Sequence, residues 1–142
     1  MKKLVVCAIL FWMSLATPVS AAPRDLRCDH RWELSKLVAS TSDDATVRHV
    51  DYVMWRESRC RQVAFNPYDP MGGSYGLFQI NSYWCKPNRY FKRGVLQSWG
   101  IVKDCDDLFN PMTNAKAFMA IFDYAESHYG DGWIPWGGKP WT

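Results

Sequence analysis

Hydrophobic positions recur along this chain at different spacings in different regions. Between Ala45 and Arg59, Val47, Val50, Val53, Met54 and Trp55 fall at helical intervals and predict an amphipathic helix. Ser42-Asp43-Asp44 stands before them as a cap and an acidic first turn, suited to the positive end of a helix. Upstream, Arg24 to Ser40 carries Trp32, Leu34, Leu37 and Val38 and predicts an earlier helix. The clearest periodicity lies in FNPMTNAKAFMAIFDYAESHYG. There Ala115, Phe118, Met119, Phe122 and Ala125 form one face, and Gly130 follows the end. Tyr90 to Gly100 predicts a short helix closed by Gly100.

Between the helix ending near Arg59 and the later ones, breakers take over. NPYDPMGGSYG holds two prolines and three glycines and predicts a loop or a small turn-rich lobe. SYGLFQINSYW alternates well enough for two short strands in a hairpin. The tail GWIPWGGKPWT has no regular period, and no internal repeat or low-complexity tract is visible. The expected class is α+β, mainly helical, with a small hairpin and loop lobe beside the helix over 45–59.

The first residues are expected to lie outside this fold. Lys2 and Lys3, the apolar run Leu4 to Leu15 and the small residues Val19-Ser20-Ala21 have the layout of a secretory signal peptide. Cleavage after Ala21 would remove Cys7 and leave residues 22–142 as one domain of about 120 residues. The alternative is an uncleaved N-terminal anchor. No later segment is apolar enough to span a bilayer. The mature chain is therefore expected to be soluble, secreted to a periplasm or the exterior, with no stable membrane insertion.

Charge and cysteines narrow the class further. Losing Lys2 and Lys3 lowers the formal charge from +3 to +1, which argues against a nucleic-acid partner. The middle is locally basic through Arg56, Arg59, Arg61, Lys86, Arg89, Lys92 and Arg93, which favours approach to an anionic polymer such as a cell wall. Cys28, Cys60, Cys85 and Cys105 remain after cleavage, enough for two disulfides in any of three pairings. Zinc is the competing use, but no CxxC occurs and only His30 lies near a cysteine. The acidic run Asp104, Asp106 and Asp107 lacks the oxygen spacing of a calcium loop and reads as a solvated loop or helix cap.

One carboxylate stands out. Glu57, in VMWRESRC, falls in the last predicted turn of its helix, with Val53 and Met54 on the turn before it. Two readings compete. Glu57 and Arg61 are spaced i,i+4, as in an ordinary surface ion pair, and the cations Arg56 and Arg59 fit that reading. Alternatively, Trp55, Met54, Leu77 and Phe78 build an apolar wall, which disfavours a charged carboxyl and keeps its proton for a leaving group.

Glu57-Ser58, followed by the segment Gly76-Leu77-Phe78-Gln79-Ile80-Asn81 and then by DLFNPMTNAKAFMAI, resembles the lysozyme-like superfamily, especially its lytic transglycosylases. The resemblance runs from about Arg24 to Trp136 and implies a lysozyme-like fold with Glu57 as catalytic acid. It also implies that Gln79 and Asn81 line a sugar cleft and that Asn66 orients the glutamate. By the same likeness, the glycine-flanked Ser74-Tyr75 brings backbone amides close to substrate. Tyr83, Trp84, Trp133 and Trp136 are candidate sugar-stacking faces, with core packing as the alternative. Tyr124 and Tyr129 are both possible counterparts of a tyrosine that many transglycosylases place late in the domain.

The chain departs from animal-type lysozymes at Ser74, where those enzymes carry an aspartate. Asp69 is the only nearby acid able to activate water, and it also suits the flanking Pro-rich turn. The resemblance further implies that Cys85 pairs with Cys105, which leaves Cys28 with Cys60. If the helix continues past Ser58, Cys60 falls on the same side as Glu57.

The implied function is cleavage of the β-1,4 bond between N-acetylmuramic acid and N-acetylglucosamine in peptidoglycan glycan strands. It would be carried out by a monomer needing no cofactor or metal. Transglycosylase chemistry is preferred to a lysozyme-type hydrolase. A non-catalytic wall-binding module is the rival from another class.

Overall fold

The computed structural model describes residues 26–28 and 44–138. The expected signal peptide, Cys7 and most of the expected first helix lie outside these residues. Leu26, Arg27 and Cys28, which that helix was to include, are not helical. The buried Asp51 carboxylate accepts the backbone N–H groups of Arg27 (2.8 Å) and Cys28 (3.0 Å), which fixes this segment against the helix that carries Asp51.

Helix α1 spans Asp44–Ser58, close to the expected bounds, and buries Val50, Val53 and Met54. After it come three two-residue strands, β1 (Phe65–Asn66), β2 (Ser74–Tyr75) and β3 (Ile80–Asn81). They form one antiparallel sheet in the order β1-β2-β3. Phe65 pairs with Tyr75 in one ladder, and Tyr75 with Ile80 in the next. The expected hairpin is therefore β2–β3. Strand β1 was not expected, because its own Asn66 and the following Pro67 open a run that reads as a breaker.

A 3-10 turn, Ser82–Trp84, follows β3, and the one-turn helix α2 spans Val95–Ser98. Gly100 follows it at φ 71°, a left-handed conformation that ends helices at little cost for glycine. The segment before Gly94 is loop, so this helix is shorter than expected. A second 3-10 turn, Cys105–Phe109, is capped by the Asp104 side chain, which accepts from Asp106 N–H. The acidic run thus works as a cap.

Helix α3, Pro111–Tyr129, begins with the Asn110 side chain accepting from Thr113 N–H and with Pro111 in its first turn. It ends at left-handed Gly130. The tail forms a 3-10 turn, Ile134–Trp136, on the same core. Among the described residues no helix is long and apolar enough to cross a membrane.

Aromatic rings join these pieces. Phe78 of the hairpin stacks on Phe118 of α3 with ring centroids 4.1 Å apart, and Trp136 packs on Phe118 at 4.6 Å. Trp133 meets Phe122 edge-on at 4.9 Å. Two disulfides, Cys28–Cys60 and Cys85–Cys105, close loops with sequence separations of 32 and 20. Both pairs are those the family likeness implied. Crosslinks of this kind persist in oxidising compartments and fit an exported chain.

Asn114 joins the hairpin to α3. It is fully buried, and its side-chain oxygen accepts from Phe78 N–H at 3.0 Å. Its amide nitrogen donates to the carbonyls of Tyr75 (2.9 Å) and Leu108 (2.8 Å). Gly76 sits against this amide, and a Cβ there would lie 2.2 Å from Asn114 Nδ2, so no other residue fits. Replacing Asn114 with Ala would orphan three buried backbone groups, each worth about 1–3 kcal/mol. Asn114→Ala is expected to lower unfolding free energy by about 3–5 kcal/mol in a urea titration. A loss below about 1 kcal/mol would show that the hairpin does not hang on this residue.

Candidate active site

Glu57 sits in the last turn of α1 with its side chain 25% exposed. It opens on a cavity of about 420 Å³ between α1, the hairpin lobe and the tail. Ser74 from β2, Gln79 from the turn before β3 and Asn81 from β3 reach the same cavity, and Trp84 and Trp136 contribute aromatic wall. Five of the expected substrate-binding residues therefore surround the expected acid.

Two do not. Tyr75 is buried, its ring packed against Phe65 and Phe109, so it serves the core. Asn66 is exposed on β1, where its side chain accepts from Tyr68 N–H and shapes the turn; it does not line the cavity. Trp133, a stacking candidate, is likewise buried against Phe118 and Phe122.

The apolar wall beside Glu57 differs from the expected one. Met54, Leu77 and Phe78 lie inside the core, and Trp55 is covered by the guanidiniums of Arg59 (4.1 Å) and Arg27 (4.7 Å). Ile80, Ile121, Met71 and Pro135 line the cavity instead. Ile121 belongs to the buried face of α3 and Pro135 to the tail, so nothing near Glu57 in the chain announced them.

The ion pair also differs from the i,i+4 expectation. Arg61 donates to the Ser58 carbonyl at 3.2 Å, whereas the neighbouring Arg56 grips Glu57. Arg56 Nε and Nη2 donate to Glu57 Oε1 at 2.9 and 2.6 Å. The same Nη2 donates to the Trp136 carbonyl at 2.6 Å. The Trp136 indole N–H in turn donates to the Phe78 carbonyl at 2.9 Å. Phe78 is thereby held at its N–H by Asn114 and at its carbonyl by Trp136, immediately before Gln79. Glu57 and Gln79 are positioned by one connected set of hydrogen bonds.

Asp69 lines the cavity as well. Its backbone carbonyl accepts from Gly72 and Gly73, as a turn residue does, but its carboxylate accepts the Ser74 hydroxyl. Asn81 Nδ2 reaches the same hydroxyl oxygen at 3.5 Å and donates to the Pro70 carbonyl at 2.7 Å. The expected turn role is met, and a second carboxylate still shares the space with Glu57.

A second cavity of about 270 Å³ shares Trp84 and Pro135 with the first. Tyr83, Phe91, Tyr124 and Tyr129 give it an aromatic lining, so both candidate late tyrosines gather here. Partial burial pushes the Tyr124 hydroxyl above the ordinary tyrosine range, and the nearby Tyr129 and Tyr83 add to the shift. A raised phenol stays protonated at neutral pH, so Tyr124 remains a hydrogen-bond donor there.

Compared with known proteins, the chain matches no family model, no curated protein and no solved structure. Among the described residues, no group of three or more His, Cys, Asp or Glu is placed to hold a metal.

The helix carrying Glu57 stops abruptly. Arg59 and Cys60 take left-handed φ of 55° and 63°, so Cys60 leaves the helical side it would otherwise share with Glu57. Such a conformation costs a non-glycine residue about 1 kcal/mol, and the link to Cys28 holds it in place. Converting Cys28 and Cys60 to Ser is expected to remove about 3 kcal/mol of stability. It should also speed amide exchange in the last turn of α1 well below the melting temperature, as that turn loosens. Converting Cys85 and Cys105 should lower only the melting temperature. Calorimetry with amide-exchange measurements on both variants checks this, and equal loosening of that turn in the two would contradict it.

Proposed function

We propose that the protein is a secreted glycosidase of the lysozyme-like superfamily. It cleaves the β-1,4 bond between N-acetylmuramic acid and N-acetylglucosamine in peptidoglycan, as a lytic transglycosylase. The observation that carries this reading is the shared cavity of Glu57, Gln79, Asn81, Trp84 and Trp136. A pyranose ring needs one apolar face to stack on and amides to bind its hydroxyl and acetamido groups; this cavity provides both beside the Glu57 carboxyl.

The chemistry follows from these positions. Glu57 gives its proton to the glycosidic oxygen as the bond from that oxygen to C1 breaks. The sugar's own 6-hydroxyl oxygen then bonds to C1, and the Glu57 carboxylate takes the hydroxyl proton. The products are a free 4-hydroxyl and a 1,6-anhydro end, with no water consumed. Arg56 fixes Oε1, so the carboxyl keeps one orientation through both proton transfers.

A second reading rests on Asp69. With its carboxylate in the same cavity, it has a place from which to take a proton from water that attacks C1, giving a hydrolase. The Ser74 hydroxyl already occupies that carboxylate, which favours the first reading.

Glu57→Gln is expected to keep the fold and bind wall fragments while losing about 10³-fold in turnover, because an amide cannot donate the proton. Near-wild-type turnover would restore the surface ion-pair reading. Mass spectrometry of digested peptidoglycan separates the two chemistries, since hydrolytic fragments are heavier by one water. Anhydro products are expected, with Asp69→Asn costing less than about tenfold. Hydrated products and a loss at Asp69→Asn matching Glu57→Gln would assign the hydrolase.

A further inference from the structure

Charge is unevenly divided along the described chain. Residues 61–103 carry six lysines and arginines against one acid, Asp69, whereas residues 104–138 carry six acids against one lysine, Lys116. Four of those six cations, Lys86, Arg89, Lys92 and Arg93, fall within eight residues that include no acid, and all four are exposed.

This basic segment is a built turn. Asn88 and Phe91 exchange backbone hydrogen bonds of 2.9 and 3.2 Å. The Asn88 side-chain oxygen accepts from the N–H groups of Tyr90 (2.9 Å) and Phe91 (3.1 Å), and its nitrogen donates to the Tyr83 carbonyl at 3.3 Å. The Cys85–Cys105 disulfide holds its foot. At the tip, the Arg89 guanidinium lies 4.4 Å from the centroid of the Tyr90 ring, which is 63% exposed. The Lys86 amine lies beside Gly72, next in the chain to the exposed Met71.

Cations alone would attract any polyanion. Exposed rings gain little from a hydrated phosphate chain but do gain from the headgroup layer of a bilayer, where tyrosine and long basic side chains both sit well. We propose that the turn over residues 86–93 docks the protein on a bilayer carrying anionic phospholipid. Lys86, Arg89, Lys92 and Arg93 meet the phosphates, and Tyr90 enters the headgroup layer. The contact is peripheral and reversible, since a few cations and one ring fall far short of an inserted helix.

The test is co-sedimentation of the disulfide-bonded full chain with phosphatidylcholine vesicles, with and without phosphatidylglycerol. Variants share the wild-type N terminus, so any lipid affinity of the first residues cancels in the comparison. Binding is expected only to the anionic vesicles. Lys92→Glu with Arg93→Glu should weaken it by about 100-fold while leaving the melting temperature unchanged. Tyr90→Ser should weaken it further at salt high enough to screen charge. Binding that survives the double reversal, or no binding to either vesicle, overturns the proposal. Loss on reversal with no effect of Tyr90→Ser would make the turn a general polyanion site and overturn the lipid assignment.

Discussion

The side chain of Asn114 is the point through which the two halves of this molecule are joined. A hairpin with strands of two residues has almost no ladder of its own, and a pair of such strands is not stable in water. Its loop carries backbone groups that water cannot reach once the lobe packs on α3. Asn114 satisfies the Phe78 N–H and the Tyr75 carbonyl of this lobe together with the Leu108 carbonyl, from one buried position, and only glycine at position 76 leaves room for the approach. Hydrophobic stacking of Phe78 on Phe118 then adds non-directional attraction to a contact whose register the amide has already set.

From that join a line of hydrogen bonds leads to the carboxylate. Asn114 holds Phe78, Phe78 receives the Trp136 indole, and the Trp136 carbonyl receives Arg56, which grips Glu57. Four separate parts of the chain thereby contribute to the orientation of one side chain. The two disulfides act on the same region from outside: one fixes the turn that ends α1, and the other fixes the segment after Trp84. In a domain with a modest core, each supplies about 3 kcal/mol that packing alone would have to find elsewhere.

The cavity that results is mixed in character. Isoleucine, proline and tryptophan surfaces lie beside amides and two carboxylates, an apolar wall with a few placed polar groups. Arg56 and the Ser74 hydroxyl give the two carboxylates different partners, one a cation and the other a neutral donor.

Much of this was legible in the residues alone. Helices α1 and α3 and the β2–β3 hairpin were, because periodicity, caps and turn residues act within a few positions of one another. Glu57, Gln79, Asn81, Trp84 and Trp136 were marked as a site by a family likeness, and all five share one cavity. The number of disulfides followed from the cysteine count, whereas their pairing rested on that likeness. Only the tertiary structure decided the rest. It made Arg56, not Arg61, the partner of Glu57, because the guanidinium also reaches a carbonyl 80 residues away. It sent Tyr75, Trp133 and Trp136 into the core, and of these three only Trp136 also reaches the cavity wall. It brought Asp69 and Ile121 to the cavity through packing between distant elements. A local pattern records which face of an element is apolar; which distant residue meets that face depends on how the whole chain packs, and no short stretch of sequence contains that.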